Sequence, residues 1–328
     1  MGAIVEKSSL EVLLAAPRGF CAGVERALDI VELTLKRWGS PIYVKHDIVH
    51  NSRVVEELRT KGVVFVEELN ECPDDRPVVY SAHGVAASVK EEAIRRNLLT
   101  VDATCPLVAK VHAEAKWHNR QGRQIVMIGQ QGHAETTGTM GQVAEGEMML
   151  VQSVDDIEAL EPRDESKLAY TTQTTLSVDD VANTVEALRR RFPKIVGPGK
   201  DDICYATTNR QNAVKAIACQ VDVMFVVGAP HSSNTRHLVQ TGQRAGCCSV
   251  LLVQGIGDWN WNVLDGAKKL GITASASCPE TIVEEVIDAV GERFELTFRT
   301  IASAVENVKF NVPRILLQQD PEPEDTNP

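Results

Sequence analysis

Three cysteines have the spacing and setting of metal ligands. Cys21 lies in Pro17-Arg18-Gly19-Phe20-Cys21-Ala22-Gly23, Cys105 in Asp102-Ala103-Thr104-Cys105-Pro106, and Cys204 in Asp201-Asp202-Ile203-Cys204-Tyr205. Each closes an apolar, strand-like run and opens a helix-like one. They stand 84 and 99 residues apart, room for one small α/β unit in each interval. Three similar units, each giving one thiolate to a shared centre, would account for that spacing. Three thiolates are one short of the four that usually close an iron–sulfur cluster or a structural zinc site. A site short by one ligand keeps a metal position open for chemistry.

Other polar residues gather where strand-like runs end. His83 follows the run 78–82, and His133 and Glu135 follow 125–129. Thr174 follows 168–172, Ser232-Ser233-Asn234 follows 221–228, and Ser277 follows 271–276. Open α/β sheets bind ligands beyond the carboxyl ends of their strands. Helix N-termini at those ends offer free N–H groups and the positive dipole end, which suit phosphate. Singly, each residue has a plainer reading. Ser, Thr and Asn before a helix are ordinary N-caps, and a lone His83 is an ordinary loop histidine. As a set they would supply a soft metal centre beside an anion pocket built from imidazole, hydroxyl, amide and helix N–H groups.

Two tempting motifs fail on their partners. His133-Ala134-Glu135 has the His-x-Glu spacing of zinc deaminases, but the Pro-Cys-x-x-Cys half is missing. Gly138-Thr139-Met140-Gly141 matches neither the Walker nor the Rossmann fingerprint, so no bound nucleotide is indicated.

The elements that must position these residues alternate regularly. Strands are expected at 12–16, 42–44, 63–66, 78–82, 99–103, 125–129, 148–151, 168–172, 221–228, 250–253 and 271–276. Helices are expected at 23–38, 52–60, 86–97, 107–119, 178–191, 208–220, 234–245 and 280–290. In 23–38, Val24, Ala27, Leu28, Val31 and Leu35 fall on one helical face. Alternating strands and helices argue for parallel α/β units, and nearly all-apolar strands argue for sheets covered on both faces. The expected units are 10–105, 106–203 and 204–290. A C-terminal extension, 291–328, ends in an acidic, Pro-rich stretch expected to be a solvated tail.

Composition narrows the class. The chain has 328 residues, 43% of them hydrophobic, and a net charge of −11, a poor match to nucleic acid. The N-terminus does not read as a signal peptide, and no run approaches the roughly 18 apolar residues of a membrane helix. A cytoplasmic protein without membrane contact is expected. Eight cysteines are too sparse for a disulfide framework. Cys72, Cys219, Cys247, Cys248 and Cys278 read as small apolar residues.

Longer strings make a resemblance specific. Arg18-Gly19-Phe20-Cys21-Ala22-Gly23-Val24, Ser81-Ala82-His83-Gly84-Val85 and Asp102-Ala103-Thr104-Cys105-Pro106-Leu107-Val108 are three of them. Thr172-Gln173-Thr174-Thr175-Leu176-Ser177 and Asp201-Asp202-Ile203-Cys204-Tyr205-Ala206-Thr207-Thr208-Asn209-Arg210-Gln211 complete the set. In order and spacing, from about residue 13 to about residue 287, the chain resembles the bacterial 4-hydroxy-3-methylbut-2-enyl diphosphate reductase family. The resemblance implies three α/β domains in pseudo-threefold array around a [4Fe-4S] cluster with one iron lacking a cysteine. It implies Cys21, Cys105 and Cys204 as cluster ligands, and His50, His83 and His133 as diphosphate-facing histidines. Ser232, Ser233, Asn234 and Ser277 match the phosphate-binding turn and serine. Thr174 and Glu135 match the pair tied to the substrate hydroxyl and to proton delivery. The implied reaction removes an allylic hydroxyl reductively, giving isopentenyl and dimethylallyl diphosphate. Ferredoxin or flavodoxin is the implied electron donor. The chain departs from the family pattern at Gln130-Gln131, Ala134, Thr136-Thr137, His231 and Cys278, none of which replaces a matched functional residue.

Two other classes make different demands. A metal hydrolase or phosphatase using the histidines and Glu135 would need no reductant. An iron–sulfur electron carrier would usually close its cluster with four cysteines, often closely spaced, and the chain has no Cys-x-x-Cys.

Overall fold

The structure, a computed structural model, describes residues 7–317. The N-terminal residues 1–6 and the acidic stretch 318–328 lie outside the described residues, and with them the expected solvated tail. The chain begins with strand β1 (Ser8–Ala16), passes Cys21 and enters helix α1 (Ala22–Trp38). Next come β2 (Ile42–Lys45), α2 (Ser52–Thr60), β3 (Val63–Val66), β4 (Val78–Tyr80), α3 (Ala87–Arg95) and β5 (Thr100–Asp102). Beyond Cys105 follow α4 (Pro106–Arg120), β6 (Gln124–Ile128), α5 (Ala134–Met140), β7 (Met148–Val151), β8 (Leu168–Thr172) and α6 (Val178–Arg191). Beyond Cys204 follow α7 (Tyr205–Ala218), β9 (Val223–Val227), α8 (Ser233–Arg244), β10 (Ser249–Val253), β11 (Lys269–Ala274), α9 (Glu280–Gly291) and β12 (Phe294–Ala302).

The strands form three parallel sheets, ordered β3-β2-β4-β5, β7-β6-β8 and β10-β9-β11-β1-β12. Strands β6, β8 and β9 are buried at every position, which explains their unbroken apolar or Thr-rich sequences. This is the expected α/β class with three similar units.

Each cysteine marks a crossing between units. Strand β1 lies in the third sheet, with Leu13 opposite both Gly271 of β11 and Arg299 of β12. After Cys21, α1 packs Ala27, Ile30 and Val31 against Ile42, Val44 and Val79 of the first sheet. Strand β5 pairs with β4 in the first sheet; after Cys105, Ala115 of α4 packs on Ile125 and Met127 of the second. Just before Cys204, Val196 bridges to Ala169 of the second sheet. After it, α7 packs Ala213, Val214 and Ile217 on Leu13, Met224 and Val226 of the third. The cysteines therefore sit where three units meet.

Both chain ends differ from the sequence expectation. Strand β1 was expected in the first unit, and β12 fell in the C-terminal extension; both belong to the third sheet. Strand β12 alternates Phe294, Leu296 and Phe298 with Glu295, Thr297 and Arg299 at a half-exposed sheet edge, so it lacks the apolar run of the inner strands. Helix α5 was also missed. Its seven residues include Gly138 and three threonines, all poor helix formers. The His133 side chain starts it by accepting the Glu135 amide at 3.1 Å. Beyond β12 the chain crosses to the first unit, where Leu316 packs into the core beneath α1.

Candidate active site

All twelve side chains singled out on sequence line one cavity. It encloses about 680 Å3, counted out to its mouth. The cysteines hold the N-cap positions of α1, α4 and α7. The same backbone hydrogen bond recurs at each. Cys21 N–H donates to Ala276 O at 3.3 Å, Cys105 N–H to Ala82 O at 3.0 Å and Cys204 N–H to Thr174 O at 3.0 Å. Those acceptors precede Ser277, precede His83, and are Thr174 itself. Each cysteine turn is thus pinned beside a residue expected to face the substrate.

Cys105 and Cys204 are poor thiolates while unligated. Burial, with the neighbouring thiols adding to it, pushes Cys105 up to about 12. Enclosure and Cys21 push Cys204 up to about 11, against hydrogen bonds from Thr207. A bound metal reverses that logic, because coordination deprotonates a thiol outright. Space is reserved next to the sulfurs. A Cβ on Gly23 would lie 2.7 Å from Cys105 Sγ and 3.8 Å from Cys21 Sγ. Among the described residues no three His, Cys, Asp or Glu donors converge on one small-ion position. A cluster spreads its thiolates over separate irons, so soft sulfurs facing a shared cavity fit an iron–sulfur cluster.

The imidazoles form a stack beside the cysteines. His50 stacks on His83 with ring centroids 4.1 Å apart, and its Nε2 lies 3.2 Å from His133 Nε2. His133 Nδ1 accepts the Glu135 amide, so its proton sits on Nε2, which leaves His50 Nε2 as the acceptor. Burial, then the neighbouring His231 and Arg236, lowers His50 to about 4. Burial, then His50 and Arg236, lowers His133 to about 3. His83 is pushed well below its ordinary value by enclosure, then by His50 and His133. All three are therefore neutral at pH 7. Opposite them, the N-terminus of α8 presents Ser233, whose buried hydroxyl has no protein partner. Its neighbours are committed: Ser232 Oγ accepts the Thr235 amide, Asn234 Oδ1 accepts the Ala276 amide, and Ser277 Oγ donates to His50 O. Ser232 thus caps α8 and Asn234 braces the 276 turn through acceptor atoms, which leaves the Ser232 hydroxyl proton and the Asn234 amide N–H groups as donors beside the open hydroxyl of Ser233.

Glu135 and Thr174 are a closed pair. Glu135, 2% exposed, accepts the Thr174 amide at 2.7 Å and the Thr174 hydroxyl at 3.0 Å. Burial raises the carboxyl to about 7 although both hydrogen bonds pull it down. Such a group exchanges a proton readily at neutral pH.

Sequence reasoning passed over two supports. Gln173 Oε1 accepts the Gln130 amide and the Thr136 hydroxyl, and its Nε2 donates to Thr175, tying the Thr174 turn to α5. Asp202 Oδ2 accepts the Thr171 hydroxyl and the Thr172 amide, each at 2.8 Å, binding the Cys204 turn to the end of β8. Both stand inside the quoted strings, but nothing about a Gln or Asp in a strand-end loop distinguishes a brace from a solvated side chain. A neighbouring pocket that shares His50 and His133 with this cavity is lined by His46, Glu67, His231 and Arg236. His231, visible on sequence only as a departure, lies 5.7 Å from the His50 ring.

Residues 12–291 match the model of the family described as LytB protein. The chain belongs to the LytB family. It is 60% identical over 310 residues to the 4-hydroxy-3-methylbut-2-enyl diphosphate reductase of Roseobacter denitrificans, covering 94% of this chain and 98% of that one. The reductase of the same name from Ruegeria pomeroyi is 58% identical over 312 residues, covering 95% and 99%. The solved E-1-hydroxy-2-methyl-but-2-enyl-4-diphosphate reductase of Plasmodium falciparum superposes with a TM-score of 0.89 at 36% identity, covering 94% of this chain and 97% of that chain. A second solved structure, titled as the terminal enzyme of the non-mevalonate pathway, gives 0.61 at 29% identity, covering 86% and 99%. As a LytB protein the chain is an enzyme, a reductase. Among the described residues no helix is long and apolar enough to cross a membrane.

Proposed function

We propose that this enzyme converts 4-hydroxy-3-methylbut-2-enyl diphosphate, with two electrons and two protons, to water and either isopentenyl or dimethylallyl diphosphate. The observation that carries the reading is one cavity in which three helix-capping cysteines, three neutral imidazoles and the Glu135–Thr174 pair face one another. Cys21, Cys105 and Cys204 hold a [4Fe-4S] cluster. When bound, such a cluster would relay the two electrons one at a time from the external donor and would offer a Lewis-acidic iron.

The protein's own groups do the rest. Ser233 and the α8 amides take up the diphosphate, and His50, His83 and His133 gain protons as its charge enters. That anchorage fixes the allylic carbon, so positioning supplies a large part of the acceleration. Protonation of Glu135 reverses its bond with Thr174, so the carboxyl donates to Thr174 Oγ while the Thr174 hydroxyl proton turns to the leaving oxygen, which departs as water. The second proton goes to carbon along with the electron pair. No nucleotide or flavin motif is present, so a small ferredoxin or flavodoxin brings the electrons. The protein works in the cytoplasm.

The test is anaerobic turnover with dithionite and a viologen mediator. The two five-carbon diphosphates should appear. A brown, iron- and sulfide-loaded sample that forms neither product would overturn the reading.

A further inference from the structure

A basic side chain on each cysteine-capped helix reaches the turn that carries the next cysteine. On α1, Arg26 Nη1 donates to Ala103 O at 3.3 Å and Thr104 O at 3.0 Å, immediately before Cys105. On α4, Lys110 Nζ donates to Lys200 O at 2.6 Å and Asp202 Oδ1 at 2.8 Å, just before Cys204. On α7, Arg210 donates to Gly19 O through Nε at 3.0 Å and Nη2 at 2.7 Å, and to Phe20 O at 3.1 Å, just before Cys21. The order is cyclic: the helix after Cys21 holds Cys105, the helix after Cys105 holds Cys204, and the helix after Cys204 holds Cys21.

We infer that Arg26, Lys110 and Arg210 form a closed ring of positioning residues that sets the three cysteine turns relative to one another before any cluster is bound. The chain crosses between units at each cysteine, so no single unit's core fixes where the next thiol stands. Charge-assisted hydrogen bonds to carbonyls are the stronger class of such bonds and suit that task. Arg210 is fully buried, and its charge is met by Glu306 at 3.0 Å, from the segment beyond β12. Lys110 is met by Asp202 and by Glu114 at 3.3 Å. Arg26 Nε also donates to Asn311 O at 2.7 Å, so the same C-terminal segment secures two of the three clasps. Three cations behind the turns also offset the negative charge that three thiolates bring.

The ring predicts a pattern that a general loss of stability does not. Amide hydrogen exchange is read by peptide mass spectrometry on the full-length, cluster-free protein. Arg26→Gln should speed exchange at Cys105, and Lys110→Gln at Cys204, each about tenfold, with the variant's own helix cap unchanged. Arg26→Lys and Lys110→Arg should restore most of the protection. Arg210→Lys should loosen Cys21, but it leaves a buried site short of donors and is the variant most prone to misfold. The other two carry the test without it. Exchange that rises at the variant's own cysteine, rises evenly at all three, or does not change would overturn the ring. The purpose of the ring rests on the cluster reading, which is scored separately by whether the parent protein takes up iron and sulfide.

Discussion

Cys204 donates its backbone N–H to the Thr174 carbonyl at 3.0 Å, while Thr174 gives both its own N–H and its hydroxyl to Glu135. The proposed cluster ligand Cys204 and the proposed proton source Glu135 are therefore joined through a single residue. Glu135→Gln keeps the shape of the pair and removes the acid. It should retain iron, sulfide and diphosphate affinity and lose ~10²–10⁴-fold in kcat. A near-parental kcat would take Glu135 out of the mechanism.

The same carboxyl sets a pH dependence. Burial holds it at about 7, and it acts from the protonated form. The rate should therefore fall as pH rises through 7, because the acid is lost, and that limb should vanish in Glu135→Gln. A parental kcat flat from pH 6 to pH 8.5 would contradict the assignment.

The histidine stack predicts proton uptake. His50 and His133 lie at about 4 and about 3 without an anion, so both are neutral at pH 7. A bound diphosphate favours their charged forms and raises both values, so binding should draw in about one proton or more per diphosphate. Calorimetry with inorganic diphosphate, in two buffers of different ionisation enthalpy, reads this directly. Identical heats in both buffers would mean the imidazoles stay neutral. His50→Ala and Ser233→Ala should each weaken diphosphate binding about tenfold with little change in kcat. Unchanged affinity in both would move the pocket elsewhere.

The cysteines and the strand-end polar residues were legible because strand, cysteine and helix recur three times, and parallel α/β units put ligands at strand carboxyl ends. The braces were not legible. Asp202 matters because the chain returns past the end of β8 and brings its carboxylate against Thr171 and Thr172, a pairing that only the folded path of residues 173–201 reveals. The placement of β1 was hidden for the same reason. An apolar strand before a helix reads as the start of that helix's unit, yet β1 pairs with strands more than 250 residues later. Ser232, Ser233 and Asn234 were legible as a polar turn at the start of α8, but their internal partners were not. Only the hydrogen bonds separate the cap and the brace from the free hydroxyl of Ser233.

Removing one ligand should be severe. Cys105→Ser replaces a soft thiolate with a hard hydroxyl that does not ionise at neutral pH. Burial pushes the Cys105 thiol up to about 12, so it depends on coordination to ionise at neutral pH. The variant should fold, since the hydroxyl is smaller and Ser is a good N-cap. It should carry little iron and sulfide after anaerobic reconstitution. Full iron content with parental turnover would remove Cys105 from the ligand set.

Gly23 gives the sharpest separation of folding from cofactor binding. It lies in the first turn of α1, where alanine is the better helix former by about 1 kcal/mol. On propensity alone, Gly23→Ala should leave the cluster-free protein as stable or raise its melting temperature. The new Cβ, however, would stand 2.7 Å from Cys105 Sγ, closer than unbonded carbon and sulfur tolerate. The sulfur must shift, and the cavity loses the space beside it. The thiol of the cluster-free protein can rotate away and the propensity gain offsets that shift, so the variant should melt close to the parent temperature without iron, yet take up less iron and sulfide and lose them faster in air. If it accepts a full complement and holds it as long as the parent, the space at Gly23 is not reserved for the cluster.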